Sequence, residues 1–394
     1  MTGLFKSPLF LVLALWAAGL GAAAQFAKIV VIFPELQAHY GETGAASGYL
    51  VSLISFVGMA LGMVAGVIAI QIGLRRLLLI GLALGAAISA WQATLPGFEP
   101  LLLSRFVEGL SHLAIVVSAP TLIAQIAPPK HQGAALTLWG TFFGVAFAGV
   151  AIGAPPLIEA YGLGALAGAH SLYMAAFALL LAFVLPAQDR RAAPAWPSLG
   201  GIARRHVTVY ASPFIAAPAL GWMFYTLTFV SLLALLPSMV DPSQRALVTA
   251  SMPLASIASS ITLGTWLLRH VSAVTVIILG FCLAILLALS LLFFGVNAWL
   301  AIALFAALGL VQGASFAAVP QLNPGLPERA LANGGIAQTG NIGNGIGTPL
   351  ALAILSLGYG VGLPLFLIAS YSAAIITHLA LARLRRRRKP ADPT

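Results

Sequence analysis

Along this chain the apolar residues neither alternate nor form narrow stripes. They come in long continuous runs at roughly 9–33, 47–70, 77–95, 101–126, 134–157 and 164–186, and again at roughly 212–238, 246–268, 271–294, 298–321, 332–357 and 361–382. Each approaches the ~20 apolar residues that a helix needs to cross a hydrocarbon core. A membrane β-strand would instead alternate with period two over about ten residues. The pattern predicts an all-α membrane protein with twelve transmembrane helices, of which 246–268 is the least oily.

The longest polar interruption, "AQDRRAAPAWPSLGGIARRHVTVYAS" (187–212), divides the runs six and six. The organisation expected is an N-terminal six-helix bundle over 1–186, a cytoplasmic linker over 187–211, a C-terminal six-helix bundle over 212–384 and a basic cytoplasmic tail over 385–394. The first run imitates a secretory signal, with Lys6 before an apolar core and small residues before Gln25. It continues through "FAKIVVIF", so it reads as an uncleaved first span.

Composition agrees with lipid as the solvent. Of the 394 residues 60% are hydrophobic and 7% charged, where soluble domains carry about 25% charged residues. Mean hydropathy is +1.02. The net charge of +10 does not point to nucleic acid, because the basic residues lie in short clusters between apolar runs, with no aromatic-basic surface. Their placement orients the chain instead. With the N-terminus inside, sixteen of the 19 fall on one side, among them Lys6, Arg75, Arg76, Lys130, Arg190, Arg191 and the tail residues Arg388 and Lys389. Only Arg245 falls on the other side, and Lys28 and Arg105 lie within spans. This asymmetry predicts a multi-pass inner (cytoplasmic) membrane protein with both termini cytoplasmic. The tail is expected to touch anionic membrane lipid.

Several chemistries are not supported. There is no phosphate-binding loop of the G-x-x-x-x-G-K-[ST] type, the histidines are dispersed, and Cys282 is the single cysteine. No cofactor, metal or enzymatic activity is expected, and Cys282 reads as a small packed hydrophobe.

The halves show weak self-similarity at an offset near 200. "EGLSHLAIVVSAP" (108–120) lies over "LGLVQGASFAAVP" (308–320), with Gly109 over Gly309 and Pro120 over Pro320. Two six-helix repeats around a midplane site are common among secondary transporters. "GVIAIQIGLRR" (66–76) looks like the cytoplasmic loop G-x-x-x-D-x-x-G-R-[RK] of the major facilitator superfamily, with Gly66, Gly73 and Arg75 matching, Arg76 beside them, and Ile70 and Leu74 departing. "LLLSRFVEG" (101–109) resembles that family's fourth-helix motif L-x-x-x-R-x-x-x-G through Leu101, Arg105 and Gly109. "GVAFAGVAIGAPP" (144–156) is loosely similar to a fifth-helix glycine-proline motif, but reads first as close packing through small residues. The resemblance covers nearly the whole chain. It implies two pseudo-symmetric six-helix bundles, alternation between inward-open and outward-open states, a gating loop at Gly66, Gly73, Arg75 and Arg76, and a monomer.

Ionisable groups at membrane depth cost on the order of 2.5–3.5 kcal/mol each, so they face protein or water. Arg105, Glu108 and His112 share one stripe of the fourth run, and Gln25 and Lys28 share a face of the first. The resemblance implies that both runs line a central pathway. Arg105 and Glu108 can pair, which leaves Lys28 without an obvious acidic partner and the site positive. Glu108 and His112 are candidates for carrying a proton, and Lys28, Arg105 and Gln25 for holding a solute. A fixed Arg105–Glu108 pair that only locks helix packing is the alternative. In the second half the candidate solute contacts are neutral: Trp222, Tyr225, Gln312, Asn341 and Asn344. His170 and His378 read as packing residues.

The function expected is a secondary active transporter, proton-coupled, for a small anionic or zwitterionic organic solute such as a monocarboxylate. A proton-driven efflux pump for hydrophobic or multidrug compounds is the alternative, and a receptor or scaffold that transports nothing is a third class.

Overall fold

A computed structural model describes residues 7–186, 198–356 and 361–387. Lys6, Arg190, Arg191, Arg388 and Lys389, named above as topology signals, lie outside these residues. So do 187–197 of the expected linker and 388–394 of the expected tail. Among the described residues the chain is helical throughout, as a backbone in lipid must satisfy its own hydrogen bonds. The chain divides into two compact units, Met1–Pro197 and Ser198–Thr394.

The first unit contains α1 (Pro8–Val30), α2 (Phe33–Tyr40), α3 (Gly44–Ser52), α4 (Ile54–Leu61), α5 (Ala65–Ile72), α6 (Leu74–Gln92), α7 (Phe98–Ile126), α8 (Gln132–Gly140), α9 (Phe142–Tyr161) and α10 (Ala165–Val184). Local chemistry sets several ends. Ser7 caps α1, its Oγ accepting from Phe10 N at 3.2 Å, with Pro8 at the first helical position. Gly73 joins α5 to α6 at φ 91°, a backbone region that a side chain would strain. Arg75 then donates through Nε to Leu185 O (3.2 Å) and through Nη2 to Ala182 O (2.6 Å), closing the C-terminal end of α10. Arg76 beside it is exposed, and nothing lies within 4 Å of a Cβ placed on Gly66.

The second unit contains α11 (Leu199–Ala211), α12 (Ala216–Met239), α13 (Arg245–Ser259), α14 (Thr265–Leu267), α15 (Ala273–Phe294), α16 (Ala298–Leu322), α17 (Leu326–Leu355) and α18 (Gly362–Arg387). A π-helical turn, Ser260–Gly264, separates α13 from α14. The described part of the expected linker is thus a helix of the second unit. Its Val209 is buried, Tyr210 OH donates to Gln338 Oε1 (2.8 Å), and His206 Nε2 lies 2.8 Å from Gln338 Nε2. Arg385–Arg387 of the expected tail continue α18.

Ten described helices are long and apolar enough to cross a membrane, or eleven if α3 and α4, bent by 60°, form one broken span. Twelve runs were expected. The difference is at 332–357, where α17 is 30 residues long but carries Asn333, Gln338, Asn341 and Asn344 among glycines. Its length suits a crossing while its polarity does not.

Matched glycines organise both units. A Cβ on Gly109 of α7 would strike Ile54 O of α4, and one on Gly309 of α16 would strike Ser256 O of α13. A Cβ on Gly81 of α6 would meet Ala114 Cβ of α7 at 2.9 Å, and one on Gly280 of α15 would meet Val311 Cγ2 of α16 at 2.7 Å. Equivalent helix pairs therefore cross backbone to backbone at equivalent places in the two units, as membrane helices do through small residues. Cys282 is exposed on α15, which corrects the expectation that it is packed.

Candidate functional site

Two helices of the first unit, α1 and α7, bring an ionic cluster together. From α1, Lys28 Nζ reaches Glu108 Oε1 on α7 at 2.6 Å. Arg105, one helical turn before Glu108, pairs through Nη1 with the other carboxylate oxygen. All three side chains are buried. One carboxylate thus bridges two cations on different helices, leaving a single positive charge in excess. The expectation that Lys28 lacks an acidic partner is corrected. The pairing joins residues 80 positions apart, which the spacing along α7 alone could not reveal.

Most of the remaining polar atoms are matched, as buried charge requires, and Arg105 Nη2, Gln25 Oε1 and Gln92 Oε1 are left over among the described residues. Lys28 Nζ also donates to Ser89 Oγ of α6 (2.6 Å) and lies 3.4 Å from His170 Nδ1 of α10. Ser89 Oγ is 2.7 Å from the same Nδ1, while His170 Nε2 is 2.9 Å from Gly21 O. These partners are mutually satisfied when Ser89 donates to Nδ1 and the Nε2–H donates to Gly21 O. Arg105 donates through Nε to Leu50 O (2.8 Å) and through Nη1 to Gln25 O (2.9 Å). Gln92 Nε2 donates to Glu108 Oε2 (3.1 Å) and to Ser104 Oγ (2.9 Å). Gln25 Nε2 donates to Ser111 Oγ at 2.7 Å.

His112 does not join Glu108. Its Nδ1 lies 3.0 Å from Ala22 O and its ring meets Phe26 edge-on. The histidine in the cluster is His170, which had read as a packing residue. Ser89, Gln92 and Ser104 are further members the sequence reading missed. A signal was present: Ser89 and Gln92 are three apart on one helix face, as Gln25 and Lys28 are.

In the second unit the corresponding region is aromatic. Trp222 stacks on Tyr225 (4.5 Å between centroids) and Tyr225 on Phe229 (4.9 Å), while Phe316 meets Trp222 edge-on at 5.0 Å. Tyr225 is buried, Trp222 half-buried and Phe316 exposed. Gln312 Oε1 accepts from Ser256 Oγ at 3.1 Å, and Asn341 Nδ2 donates to Ala337 O within its own helix at 2.8 Å. Asn344 is half-buried on the same helix. A Cβ on Gly340 would meet Trp222 Nε1 at 2.6 Å, and those on Gly343 and Gly347 would strike the α12 backbone. The glycines of α17 let it lie against α12. His378, expected to be a packing residue, is buried in the second unit, where a Cβ on Gly221 would strike its ring.

A small cleft of about 20 Å³ opens within the first unit, lined by Lys28, Tyr40, Gln92, Leu101, Leu163 and Ala167 among others. Partial burial raises the Tyr40 hydroxyl above its usual range, so it stays protonated and donates to Pro96 O at 2.8 Å.

Known proteins match both sequence and fold. Galactose-proton symporters of Escherichia coli K12 and of a second strain, O6:H1, are 30% identical over 123 residues, which is 31% of this chain and 26% of each relative. The chain thus matches about a quarter of those relatives' length. Two structures of a bacterial homolog to the human lysosomal transporter Spinster share the fold. The inward-facing unoccupied one superposes with a TM-score of 0.73 at 14% identity, covering 99% of this chain and 100% of that one. The inward-facing occupied one gives 0.70 at 16% identity, covering 97% and 99%. Residues 11–347 match the family model described as Major Facilitator Superfamily. With its long apolar helices and two units within each of which helices cross at matched glycines, the chain belongs to the Major Facilitator Superfamily of secondary transporters.

Proposed function

We propose that the protein is a proton-coupled secondary transporter working by alternating access, with Glu108 as the proton-carrying group and a small polar organic solute as cargo. One observation carries this reading. The carboxylate of Glu108 ties Lys28 on α1 to Arg105 on α7. Protonating it removes the only anion of the cluster and sets two buried cations against each other. A two-state protein responds to such a local charge change by shifting population between its states.

The solute class follows from what remains available. Lys28 Nζ is held by Glu108 and Ser89, with His170 Nδ1 3.4 Å away, so it has little left with which to hold a carboxylate. Trp222 and Phe316 offer aromatic faces, and beyond their bonds to Ser256 and Ala337 the amides of Gln312 and Asn341 each keep a second polar atom, which suits a neutral hydroxylated solute such as a sugar. The partial match to galactose-proton symporters supports the same class. An anionic or zwitterionic solute is the second reading, favoured by the excess positive charge of the cluster. Positive-inside placement of the basic residues supports an inner-membrane protein with cytoplasmic termini.

Purified protein in proteoliposomes with an imposed pH gradient tests the proposal. Labelled galactose is expected to accumulate with the gradient and labelled lactate is not. In Glu108→Gln the gradient should no longer drive accumulation, while solute exchange without net proton movement persists. Gradient-driven accumulation that survives Glu108→Gln refutes the coupling role. Accumulation of lactate alone moves the solute to the anionic class. Resistance to hydrophobic compounds that depends on Glu108 would favour the efflux pump.

A further inference from the structure

The cleft in the first unit lies where α1 and α6 end and α7 and α10 begin, so all of its walls belong to one end of that unit. Its lining is apolar except for Tyr40 at the short helix α2 and two buried side chains, Lys28 and Gln92. Gln92 points its amide nitrogen at the Glu108 carboxylate, which only a donor can face. The amide oxygen is thereby fixed as Oε1 and is buried without a partner. An orphaned buried acceptor beside a void calls for a water, and about 10–15 Å³ of such volume holds one. The cleft has about 20 Å³.

We propose that this cleft admits water and protons to the ion cluster through the first unit itself, with Lys28 as the relay that hands the proton to Glu108. The inference rests on the coupling role given to Glu108 above. Lys28 is the member of the cluster that both lines the cleft and touches the carboxylate, its Nζ 2.6 Å from Oε1. Lys28 Nζ gives one of its three protons to Glu108 Oε1. The amine then turns about its Cε–Nζ bond, giving up the long contact to His170, and a hydronium ion in the cleft breaks one O–H bond to restore the ammonium and leaves as water. The net change is one proton on the carboxylate. Ser89 and His170 hold Nζ in place on its other sides, Arg105 faces the second carboxylate oxygen, and Tyr40 stands at the cleft. The proton then has a path of its own, running inside one unit.

Protonation of Glu108 after a pH jump is the direct test, with the full chain in nanodiscs and the readout the carboxylic C=O infrared band that Glu108→Gln removes. Ala167→Phe fills the cleft and Lys28→Met removes the relay. Each is expected to slow protonation about tenfold or more, whereas Ala167→Ser should not change it. An unchanged rate in folded Ala167→Phe overturns the proposal. A second measurement covers a variant that fails to fold. In a Cys282→Ser background, silver ion should react with Ala167→Cys and Leu101→Cys about tenfold faster than with Leu82→Cys in the unit's core. Equal, slow reaction at all three overturns it. Neither readout needs a transported solute. If galactose and lactate both fail to move while these results hold, the solute reading falls and the access route stands.

Discussion

Because Glu108 serves two cations and Lys28 serves one anion, their removal should not cost the same. Glu108→Gln keeps the side-chain volume and one acceptor but strands Lys28 and Arg105, both buried, with no counter-charge. Breaking a buried pair in this way costs about 3–5 kcal/mol. Lys28→Met leaves the Arg105–Glu108 pair whole and releases Ser89 and one carboxylate oxygen, a loss nearer 1–3 kcal/mol. The double variant should be more stable than Glu108→Gln alone, because only one cation is then stranded. At about 2 °C per kcal/mol, Glu108→Gln lowers the melting temperature by about 6–10 °C and Lys28→Met by about 2–6 °C. Unfolding of the purified protein in detergent, followed by the fluorescence of its seven tryptophans at a fixed scan rate, measures this. Thiol-reactive dyes do not suit the chain, since Cys282 is already exposed. Equal losses in the two single variants, or a double variant no better than Glu108→Gln, refute the view that one carboxylate holds both cations.

Two further outcomes test the packing that presents this cluster. Gly109→Ala and Gly309→Ala should each cost about 1–3 kcal/mol, because the new methyl meets a backbone carbonyl that cannot move aside. Gly66→Ala, in open space within α5, should be neutral or slightly stabilising in the same thermal assay. Arg75→Ala should cost about 1–2 kcal/mol through its two hydrogen bonds to the end of α10, with exposed Arg76→Ala within about 0.5 kcal/mol of wild type. A reversed order between the two arginines shows that Arg75 does not act by closing that helix.

The chain by itself determined the helices and most of their breaks. In lipid a backbone must bond to itself, so long apolar runs have one outcome, and the pauses between them are written in glycine, proline and charge. It also put Arg105 and Glu108 within reach of each other, because residues three apart on a helix are neighbours wherever the helix goes. The offset of 200 that set Gly109 over Gly309 corresponds to a real equivalence, each glycine being the place where one helix backbone crosses another. At 332–357 length and polarity part company: the expected run is one continuous helix, α17, but its amides and glycines keep it off the set of helices apolar enough to cross a membrane. What only the tertiary structure decided was the company of Lys28. Its partners, Glu108, Ser89 and His170, lie 61 to 142 positions away on three other helices. Which side chain meets which depends on how each helix is rotated about its own axis, and that rotation is set by close contacts such as Gly81 against Ala114, not by any periodicity along one helix.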